Sequence, residues 1–436
     1  MHALDSIRNH AAERGDCAVA VVGAGYVGAG VVRVLTSVDG VYPAIIVNRD
    51  PERAVAVFES LGISRDDILV GDDMAQMAVA LDSRQPIVTS SIDALAGLPV
   101  GLVIEATGAI DHGARVIMLA LQAGRDVISY NAEVDALLGA LFHRVAGAND
   151  AIYTIADGDQ PGALLRLQQQ VHDMGFEVRS LLNCKRHLNR HQNPSSGAAY
   201  TARDTTSSHM TTAFGDGTKM QVEQAVVANA TGIAPDRQGM HGLRTTQEEV
   251  LADAANHLPD GQCVDYTLGG DFAAGVGIIA RHSDGDLHQR AMSLYKMGDG
   301  PDYFFFRPYH LVHLELPLTL ADVLVHRKSL SRMDGGPVAE VVAVAKKPLG
   351  TGERLDCIGG FTAYGHIDSL EGARGLLPVG LLEYAVMTAD VEQDQPIPLT
   401  AVQLDAEIDV VHLWRQLHSQ GEAANEQVEQ PSRATA

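Results

Sequence analysis

The sequence predicts an α/β fold in three parts, namely a doubly wound parallel sheet, an α+β domain and a small all-β module. Apolar strand patterns alternate with helical patterns as far as about residue 150, which is typical of parallel sheets with crossover helices. The chain then mixes strands, helices and polar loops to about residue 335. From about residue 337, short β-type segments are separated by Gly and Pro.

These patterns place the domain boundaries. We expect a nucleotide-binding type of sheet in 1–155, a substrate domain in 156–335 and a β module in 336–416. The polar stretch 417–436 is predicted to be disordered. At 436 residues the chain exceeds the size at which single hydrophobic cores stop growing.

Charge and cysteine content restrict the class of partner. The chain has 32 Lys and Arg against 55 Asp and Glu, a net charge of -23. This charge repels phosphate backbones and anionic lipids, so we expect no nucleic-acid or membrane partner. The four cysteines lie far apart without CxxC spacing, which favours reduced thiols and a cytoplasmic location. We also expect a homo-oligomer from the size of the chain.

A glycine motif follows the first predicted strand and opens the first helix of the sheet. The residues are Gly23, Ala24, Gly25, Tyr26, Val27 and Gly28, with GxGxxG spacing. The first glycine permits a tight turn, the second lets a pyrophosphate approach the backbone, and the third allows close helix packing. The motif predicts a Rossmann dinucleotide site formed by these six residues, with a purely structural glycine turn as the alternative.

Residues after later strands extend the predicted cofactor site. Asn48 and Arg49 stand where NAD-binding chains carry an acidic ribose ligand, which favours NADP(H) over NAD(H). Arg49 could equally be a solvated residue at a helix start. We expect further contacts at the carboxyl edge of the sheet, although ordinary turns have similar sequences. They are Ala106, Thr107, Gly108, Asn131 and Glu133.

A basic segment supplies the first catalytic candidate. No carboxylate occurs between Val178 and Arg203, whereas Lys185, Arg186, Arg190 and His191 do. Lys185 follows a strand end, so we predict a general acid or carbonyl polariser there. We predict that the other three bind a substrate phosphate or carboxylate. A solvated basic loop is the alternative for any one of them.

Two later motifs supply the remaining candidates. Asp216 and Lys219 open an apolar helix; the carboxylate either orients the lysine as a catalytic pair or only caps the helix. An aromatic stretch contains His310, which we predict to be catalytic, and three residues that we predict to contact the substrate. Packing in the core is the alternative for one of these three, Met297, and we expect it for the nearby His313. The three contacts are Met297, Arg307 and Tyr309. The sequence indicates no protein cage for a metal ion.

Several quoted segments together resemble a known family. They are VIEATG, NAEVDALLGALF, GDQP, DGTK, VANATG and FRPYHL, in this order along the chain. They resemble homoserine-dehydrogenase-like NAD(P)-dependent oxidoreductases with a C-terminal SAF domain, and the AKKPLGTGERL and IGGFTAYGHI segments resemble that module. The resemblance covers nearly the whole chain.

Within that family, the chain resembles the reductoisomerase-like enzymes that convert 1-deoxy-D-xylulose 5-phosphate into 2-C-methyl-D-erythritol 4-phosphate. The resemblance implies isoprenoid biosynthesis, NADPH and a divalent cation, Mg or Mn. It also implies functional roles for Lys185, for Asp216 and Lys219, and for the Arg307 to His310 segment. Two alternatives stay open: a homoserine dehydrogenase acting on an amino-acid semialdehyde, and a non-catalytic NAD(P)H-sensing regulator.

Overall fold

The first part of the chain forms a seven-stranded parallel sheet. The computed structural model describes residues 2–196, 207–269, 271–272, 275–282 and 284–428. The strand order is β3-β4-β2-β1-β5-β6-β7. The strands are β1 (Cys17–Val22), β2 (Val41–Val47), β3 (Leu69–Val70), β4 (Ile87–Thr89), β5 (Leu102–Glu105), β6 (Asp126–Ser129) and β7 (Tyr153–Ile155). Since β1 is central and the order reverses beside it, the predicted doubly wound fold is confirmed.

Seven helices belong to this part. They are α1 (Ala3–Arg14), α2 (Tyr26–Leu35), α3 (Pro51–Glu59), α4 (Met74–Asp82), α5 (Ala94–Gly97), α6 (Ile110–Gln122) and α7 (Ala132–Ala148). The central strands are buried on both faces, as parallel sheets covered by helices require. This explains why β1 and β5 are nearly continuous apolar runs. The carboxyl ends of β1, β5 and β6 therefore open on a common edge.

The second part contains a five-stranded mixed sheet with the order β12-β11-β8-β10-β9. The strands are β8 (Phe176–Lys185), β9 (Leu243–Arg244), β10 (Cys263–Leu268), β11 (Gly275–His282) and β12 (Asp302–Arg307). The helices are α8 (Gln160–Asp173), α9 (Ser208–Gly215), α10 (Thr218–Thr231), α11 (Val250–His257), α12 (Gly285–Leu294) and α13 (Leu316–Leu320). Strand β8 ends at Lys185, and α10 packs against α7 and α8, which brings Lys185 and Lys219 toward the first sheet.

The third part is built from short antiparallel strand pairs. Strands β13 (Ala339–Ala345) and β14 (Ala363–Ser369) form one pair, and β15 (Ala385–Met387) and β16 (Val402–Leu404) form the other. A final helix, α14 (Asp409–Val428), returns to α6, where Asp111 accepts a hydrogen bond of 2.9 Å from the Val410 amide. We refer to residues 336–408 as the C-terminal module.

The polar end of the chain differs from its predicted disorder. Helix α14 continues to Val428, and the remaining predicted residues, 429–436, lie outside the described residues. The segment EAANEQ is rich in Glu, Ala and Gln, which have high helix propensity.

None of the helices in the described ranges combines the length and the apolar character that crossing a membrane requires.

Helix α10 lies at the centre of the molecule. Every residue from Thr218 to Asn229 is buried, although several of them are polar. The helix packs against α7, α8 and both strands of the β13–β14 pair. The Asn229 side-chain oxygen Oδ1 accepts hydrogen bonds from the backbone amides of Val338 and Ala339, at 2.8 and 2.9 Å. All three parts of the chain therefore contribute to the surroundings of α10.

Candidate active site

The glycine turn after β1 has the geometry that its sequence predicts. Gly23 has a φ of +104°, and a Cβ on it would lie 2.8 Å from the Ala106 carbonyl oxygen. A Cβ on Gly28 would lie 2.0 Å from the Gly23 carbonyl oxygen. Both positions are therefore restricted to glycine, and the structural roles predicted for them are confirmed.

The start of α2 provides space and donors for an anion. A Cβ on Gly25 would meet no atom within 4 Å, and α2 has no side-chain cap at its N-terminus. Uncapped amides at a helix N-terminus favour phosphate groups. The turn therefore fits a pyrophosphate, and binding by Ala24, Tyr26 and Val27 stays a prediction.

Asn48 and Arg49 follow the end of β2, beside this turn. The Asn48 side-chain oxygen Oδ1 accepts from the Ala24 backbone amide at 3.1 Å, and the side-chain nitrogen Nδ2 donates to the Asp50 carbonyl oxygen at 2.7 Å. Asn48 therefore fixes the glycine turn to β2. Arg49 is exposed and makes no ion pair within the described residues, so its guanidinium is available to an anionic ligand. Selectivity for NADP(H) stays a prediction.

A buried carboxyl group lies beneath the turn after β5. Glu105 accepts from the Thr107 amide at 2.8 Å and from the Thr107 hydroxyl, while its Oε2 has no partner in the described residues. Burial raises the pKa of Glu105 to about 7, against the opposing effect of the Thr107 hydrogen bonds. The bonds to Thr107 fix the turn that continues through Ala106 and Gly108. Glu105 was not predicted as a site residue, although a carboxylate at the end of an apolar strand is a visible signal.

Asn131 supports the next turn rather than pointing to a ligand. Its side-chain oxygen accepts from the Val134 amide at 3.3 Å and its nitrogen donates to the Ala109 carbonyl at 3.1 Å. The side chain is fully buried. It thus caps α7 and joins it to the turn after β5, and a direct cofactor contact stays a prediction.

Glu133 and Lys219 form a buried ion pair between the first two parts of the chain. The Lys219 Nζ lies 2.8 and 2.9 Å from the two Glu133 carboxylate oxygens, and both side chains are more than 90% buried. Burial alone would lower the pKa of Lys219, but the carboxylates of Glu133, Asp159 and Glu223 raise it above its usual value. The raised pKa favours the ammonium form of Lys219 at neutral pH.

Lys185 forms a second pair beside the first. Its Nζ lies 3.1 Å from the Glu223 Oε2. This oxygen also accepts a hydrogen bond of 2.9 Å from the Asn183 side-chain nitrogen Nδ2. Burial would raise the pKa of Glu223, but Lys185 and Lys219 lower it, so this carboxylate stays ionised. The Lys185 Nζ also lies 5.8 Å from the centre of the Phe214 ring. Because the Lys185 side chain is 20% exposed, a substrate could reach it.

His310 and Asp159 lie close to the two ion pairs, and we refer to Glu133, Lys219, Lys185, Glu223, His310 and Asp159 together as the charged cluster. The His310 Nδ1 lies 3.0 Å from the Gly158 carbonyl oxygen, so Nδ1 carries the proton and Nε2 is left for another partner. Burial raises the pKa of Asp159, and the charges of Lys219 and His310 oppose that shift. A Cβ on Gly158 would lie 2.4 Å from the Val312 carbonyl oxygen, which explains a glycine at this turn.

Asp216 does not orient Lys219, contrary to one of the two sequence interpretations. Its Oδ2 lies 2.7 Å from the Lys346 Nζ, and its Oδ1 accepts from the Thr218 amide at 2.8 Å. Lys219 instead pairs with Glu133. Its bond to the Thr218 amide closes the turn before α10, while the N-cap position itself is the left-handed Gly217.

Some residues of the aromatic stretch lie near the candidate site, and others pack against the rest of the protein. Arg307 pairs with Glu315, and its guanidinium lies 4.6 Å from the centre of the exposed Tyr309 ring. Met297 packs against the hydrophobic core. His313 packs on α2, where a Cβ on Gly30 would lie 2.5 Å from its ring. His310 and His313 therefore have separate partners, and binding of a substrate by Arg307, Tyr309 and Met297 stays a prediction.

A cavity of about 430 Å³ is lined by four residues of the basic segment, Leu188 to His191, and by Leu268, which pairs with Lys185 in the β8–β10 register. Arg190 and Arg244 line it and make no ion pair within the described residues. Burial raises the pKa of Tyr266, also in the lining, and the Arg190 guanidinium opposes that shift. His191 lines the same cavity and lies 2.8 Å from Asp394. Arg244 was not predicted, because only the parallel pairing of β9 with β10 brings it there.

The rest of the predicted anion site is less enclosed. Arg186 is exposed, is absent from the lining of the cavity, and makes no ion pair within the described residues. Residues 197–206, which include Arg203 of the basic segment, lie outside the described residues. Within the described ranges, no three His, Cys, Asp or Glu side chains are grouped so that they could hold a metal ion.

Comparison with protein families supports a general class. Residues 158–316 match the family model described as oxidoreductase DRL, catalytic domain. This range contains Lys185, Lys219, Glu223 and His310. The match supports the class of oxidoreductase for this chain, whereas no curated relative matches it.

Solved structures show distant likeness. A homoserine dehydrogenase from Thiobacillus denitrificans is 12% identical, with 88% of this chain and 98% of that chain covered and a TM-score of 0.43. A probable dehydrogenase from Thermotoga maritima is 11% identical, with 70% and 88% covered and a TM-score of 0.41. Apo scyllo-inositol dehydrogenase from Lactobacillus casei is 12% identical, with 71% and 87% covered and a TM-score of 0.40. Such distant likeness says nothing about the substrate of this chain.

Two glycine substitutions should separate cofactor binding from stability. Gly28→Ala should lower the free energy of unfolding by about 1–3 kcal/mol, because its Cβ would overlap the Gly23 carbonyl. Gly25→Ala should change it by less than about 0.5 kcal/mol, since its Cβ meets no atom, but should weaken NADPH binding. Urea unfolding and NADPH fluorescence titration measure the two effects. Wild-type NADPH affinity in Gly25→Ala would show that phosphate does not approach this turn.

Glu105 should make stability depend on pH. Its pKa is raised to about 7 by burial, so its contribution to stability is complete below the unfolded pKa and is lost as the pH rises through 7. From pH 5.5 to 8, the wild type should lose about 2 kcal/mol more unfolding free energy than Glu105→Gln. Urea unfolding at both pH values measures the difference, with the exposed Glu371→Gln as control. Parallel pH profiles of wild type and Glu105→Gln would contradict the assignment.

Proposed function

We propose that this protein is an NADP(H)-dependent oxidoreductase that acts on a small anionic carbonyl compound. Two lysine–carboxylate contacts are the main support for this function: Lys219 pairs with Glu133, and Lys185 pairs with Glu223. Glu133 opens α7, which follows β6 of the same parallel sheet whose first strand ends in the glycine turn. In such sheets ligands bind outside the carboxyl ends of the strands. The oxidoreductase family match to residues 158–316 supports the same class.

The two lysines suit different parts of the chemistry. A bound nicotinamide would supply the hydride. Lys219 is buried and held by both Glu133 oxygens, so it supplies a fixed positive charge near an oxygen that becomes negative. Lys185 is partly exposed and contacts one carboxylate oxygen. It therefore donates a proton to that oxygen and regains one from solvent.

An anionic end of the substrate fits the cavity that Arg190 and Arg244 line. In a chain of net charge -23, two guanidiniums without a carboxylate partner within the described residues are favourable ligands for phosphate or carboxylate. Leu268, also in the lining, pairs with Lys185 in the β8–β10 register. A compound with an anion at one end and a carbonyl at the other could thus reach both groups.

The family resemblance narrows the compounds to test. A phosphorylated ketose such as 1-deoxy-D-xylulose 5-phosphate carries both groups, and its reductive isomerisation to 2-C-methyl-D-erythritol 4-phosphate uses NADPH. We propose it as the first substrate to test, with Mg or Mn supplied in solution. Homoserine with NADP+ tests the amino-acid alternative. Binding of NADPH without turnover of any compound would favour the non-catalytic regulator.

Removal of Lys185 should abolish the chemistry and leave cofactor binding intact. Lys185→Met should lower kcat by about 10² to 10⁴, the usual contribution of a general acid, with unchanged NADPH affinity. The loss should be smaller at low pH, where solvent supplies the proton more readily. Lys347→Met is the matched control, since Lys347 forms an exposed pair with Glu353. NADPH absorbance measures turnover, and an unchanged kcat in Lys185→Met would reject this role.

Substitution of the cavity arginines should affect substrate binding more than chemistry. Arg244→Gln and Arg190→Gln should each raise KM for a phosphorylated ketose about tenfold or more, because a charge-assisted hydrogen bond contributes about 1.5–3 kcal/mol. Arg186→Gln should have a smaller effect, since Arg186 does not line the cavity. Initial-rate kinetics separate KM from kcat. An equal KM in wild type and both cavity variants would place the anion elsewhere.

A further inference from the structure

A buried lysine of the C-terminal module contacts three segments around the charged cluster. Lys346 follows β13, and its side chain is 3% exposed. Its Nζ lies 2.7 Å from the Asp216 Oδ2 and donates to the carbonyl oxygens of Gln192 and Gly360, both at 2.7 Å. Two of the three donors of this ammonium group are therefore used by backbone carbonyl oxygens, and the Asp216 carboxylate lies within ion-pair distance.

The partners of Lys346 belong to the walls of the proposed active site. Asp216 closes the turn that begins α10, three residues before Lys219. Gln192 ends the loop that carries Arg190 and His191, and this loop is held to α9 by a hydrogen bond of 2.8 Å from the Asn189 amide to the Gly215 carbonyl. Gly360 lies in a loop packed on α9, since a Cβ on the neighbouring Gly359 would lie 2.0 Å from the His209 carbonyl oxygen.

Helix α10 is also hydrogen-bonded to the C-terminal module through two residues of its first turn. The Thr218 hydroxyl accepts from the Gly365 backbone amide at 2.9 Å, and the Gln221 side-chain oxygen Oε1 accepts from the Ile367 backbone amide at 2.8 Å. Thr218 and Gln221 are three residues apart and share one face of α10, whereas Lys219 and Glu223, four residues apart, share another. The module therefore holds one face of α10, and the other carries the proposed chemistry.

We infer that Lys346 is a positioning residue for the active site: by joining Asp216, Gln192 and Gly360, it sets the first turn of α10 and the anion-binding loop in one arrangement. This role rests on the proposed function of Lys219 and of the Arg190 cavity. Lys346 contacts no substrate or cofactor group itself. Its ammonium acts through the backbone of two loops and the carboxylate of Asp216, so its loss should loosen Lys219 from Glu133.

The experiment measures the chemical protection of Lys219. Limited acetic anhydride treatment, followed by peptide mass spectrometry, gives the acylation rate of the Lys219 amine relative to the exposed Lys328 of the same molecule. In Lys346→Met the relative rate should rise about tenfold or more, the effect of a local opening that becomes about 1.4 kcal/mol easier. Lys346→Arg keeps a charge and should restore most of the protection.

Two further variants control for simple destabilisation. Lys346→Met combined with Asp216→Asn removes both buried charges, so it leaves no unpaired carboxylate, and it should still show the faster acylation of Lys219. Lys347→Met removes the neighbouring exposed pair with Glu353 and should leave Lys219 as protected as in the wild type. Thermal unfolding, measured in parallel, identifies any general loss of stability.

Each outcome bears on the inference. A folded double variant with Lys219 as protected as in the wild type would overturn it, and so would Lys346→Arg with no more protection than Lys346→Met. The assay needs no substrate, so it is independent of turnover. Failure of the wild type to bind NADPH, or to reduce any phosphorylated ketose, would instead reject the proposed function. Where turnover is found, Lys346→Met should lower kcat more than it changes the KM for NADPH.

Discussion

The structure depends on one constraint: α10 is buried on all sides and yet carries polar and charged side chains. A buried charge is costly unless it is paired, so each such residue on the helix needs a partner from another part of the chain. Lys219 pairs with Glu133 of α7, in the first part of the chain, and Glu223 pairs with Lys185 at the end of β8. Thr218, Gln221 and Asn229 take backbone amides of the C-terminal module. The requirement for pairing therefore assembles the proposed active site from three separate parts.

Much of the fold could be predicted because its signals are local. The alternation of apolar strands and helical patterns defines the parallel sheet, and the glycine spacing defines the turn after β1, where Gly23 and Gly28 have the predicted steric roles. Lys185 was placed at a strand end for the same reason, and β8 ends at that residue. Such features depend on residues within one or two elements, which a single sequence displays.

The partners of those residues could not be predicted, because they depend on contacts between distant segments. Asp216 lies three residues before Lys219, yet it pairs with Lys346, which is 130 positions further along the chain. Arg244 reaches the cavity only through the pairing of β9 with β10. His310 and His313 have the spacing of helical metal ligands, but one contacts Gly158 and the other packs on Gly30. Spacing along the chain thus identified the candidates and failed to identify what they contact.

The bonds between α10 and the C-terminal module are of two kinds, and the difference bears on how the module could be exchanged between related chains. Thr218, Gln221 and Asn229 accept from main-chain amides, which any residue except proline provides. The contacts of Thr218 and Gln221 depend on the backbone path of β14, and those of Asn229 on the backbone at the start of β13. They would survive divergence of the side chains there, except at Gly365, where a Cβ would lie 3.0 Å from the Thr218 methyl group. The Asp216–Lys346 contact requires two particular side chains. A chimera built from diverged halves would therefore need matching side chains from both parents at Asp216–Lys346 and at His191–Asp394.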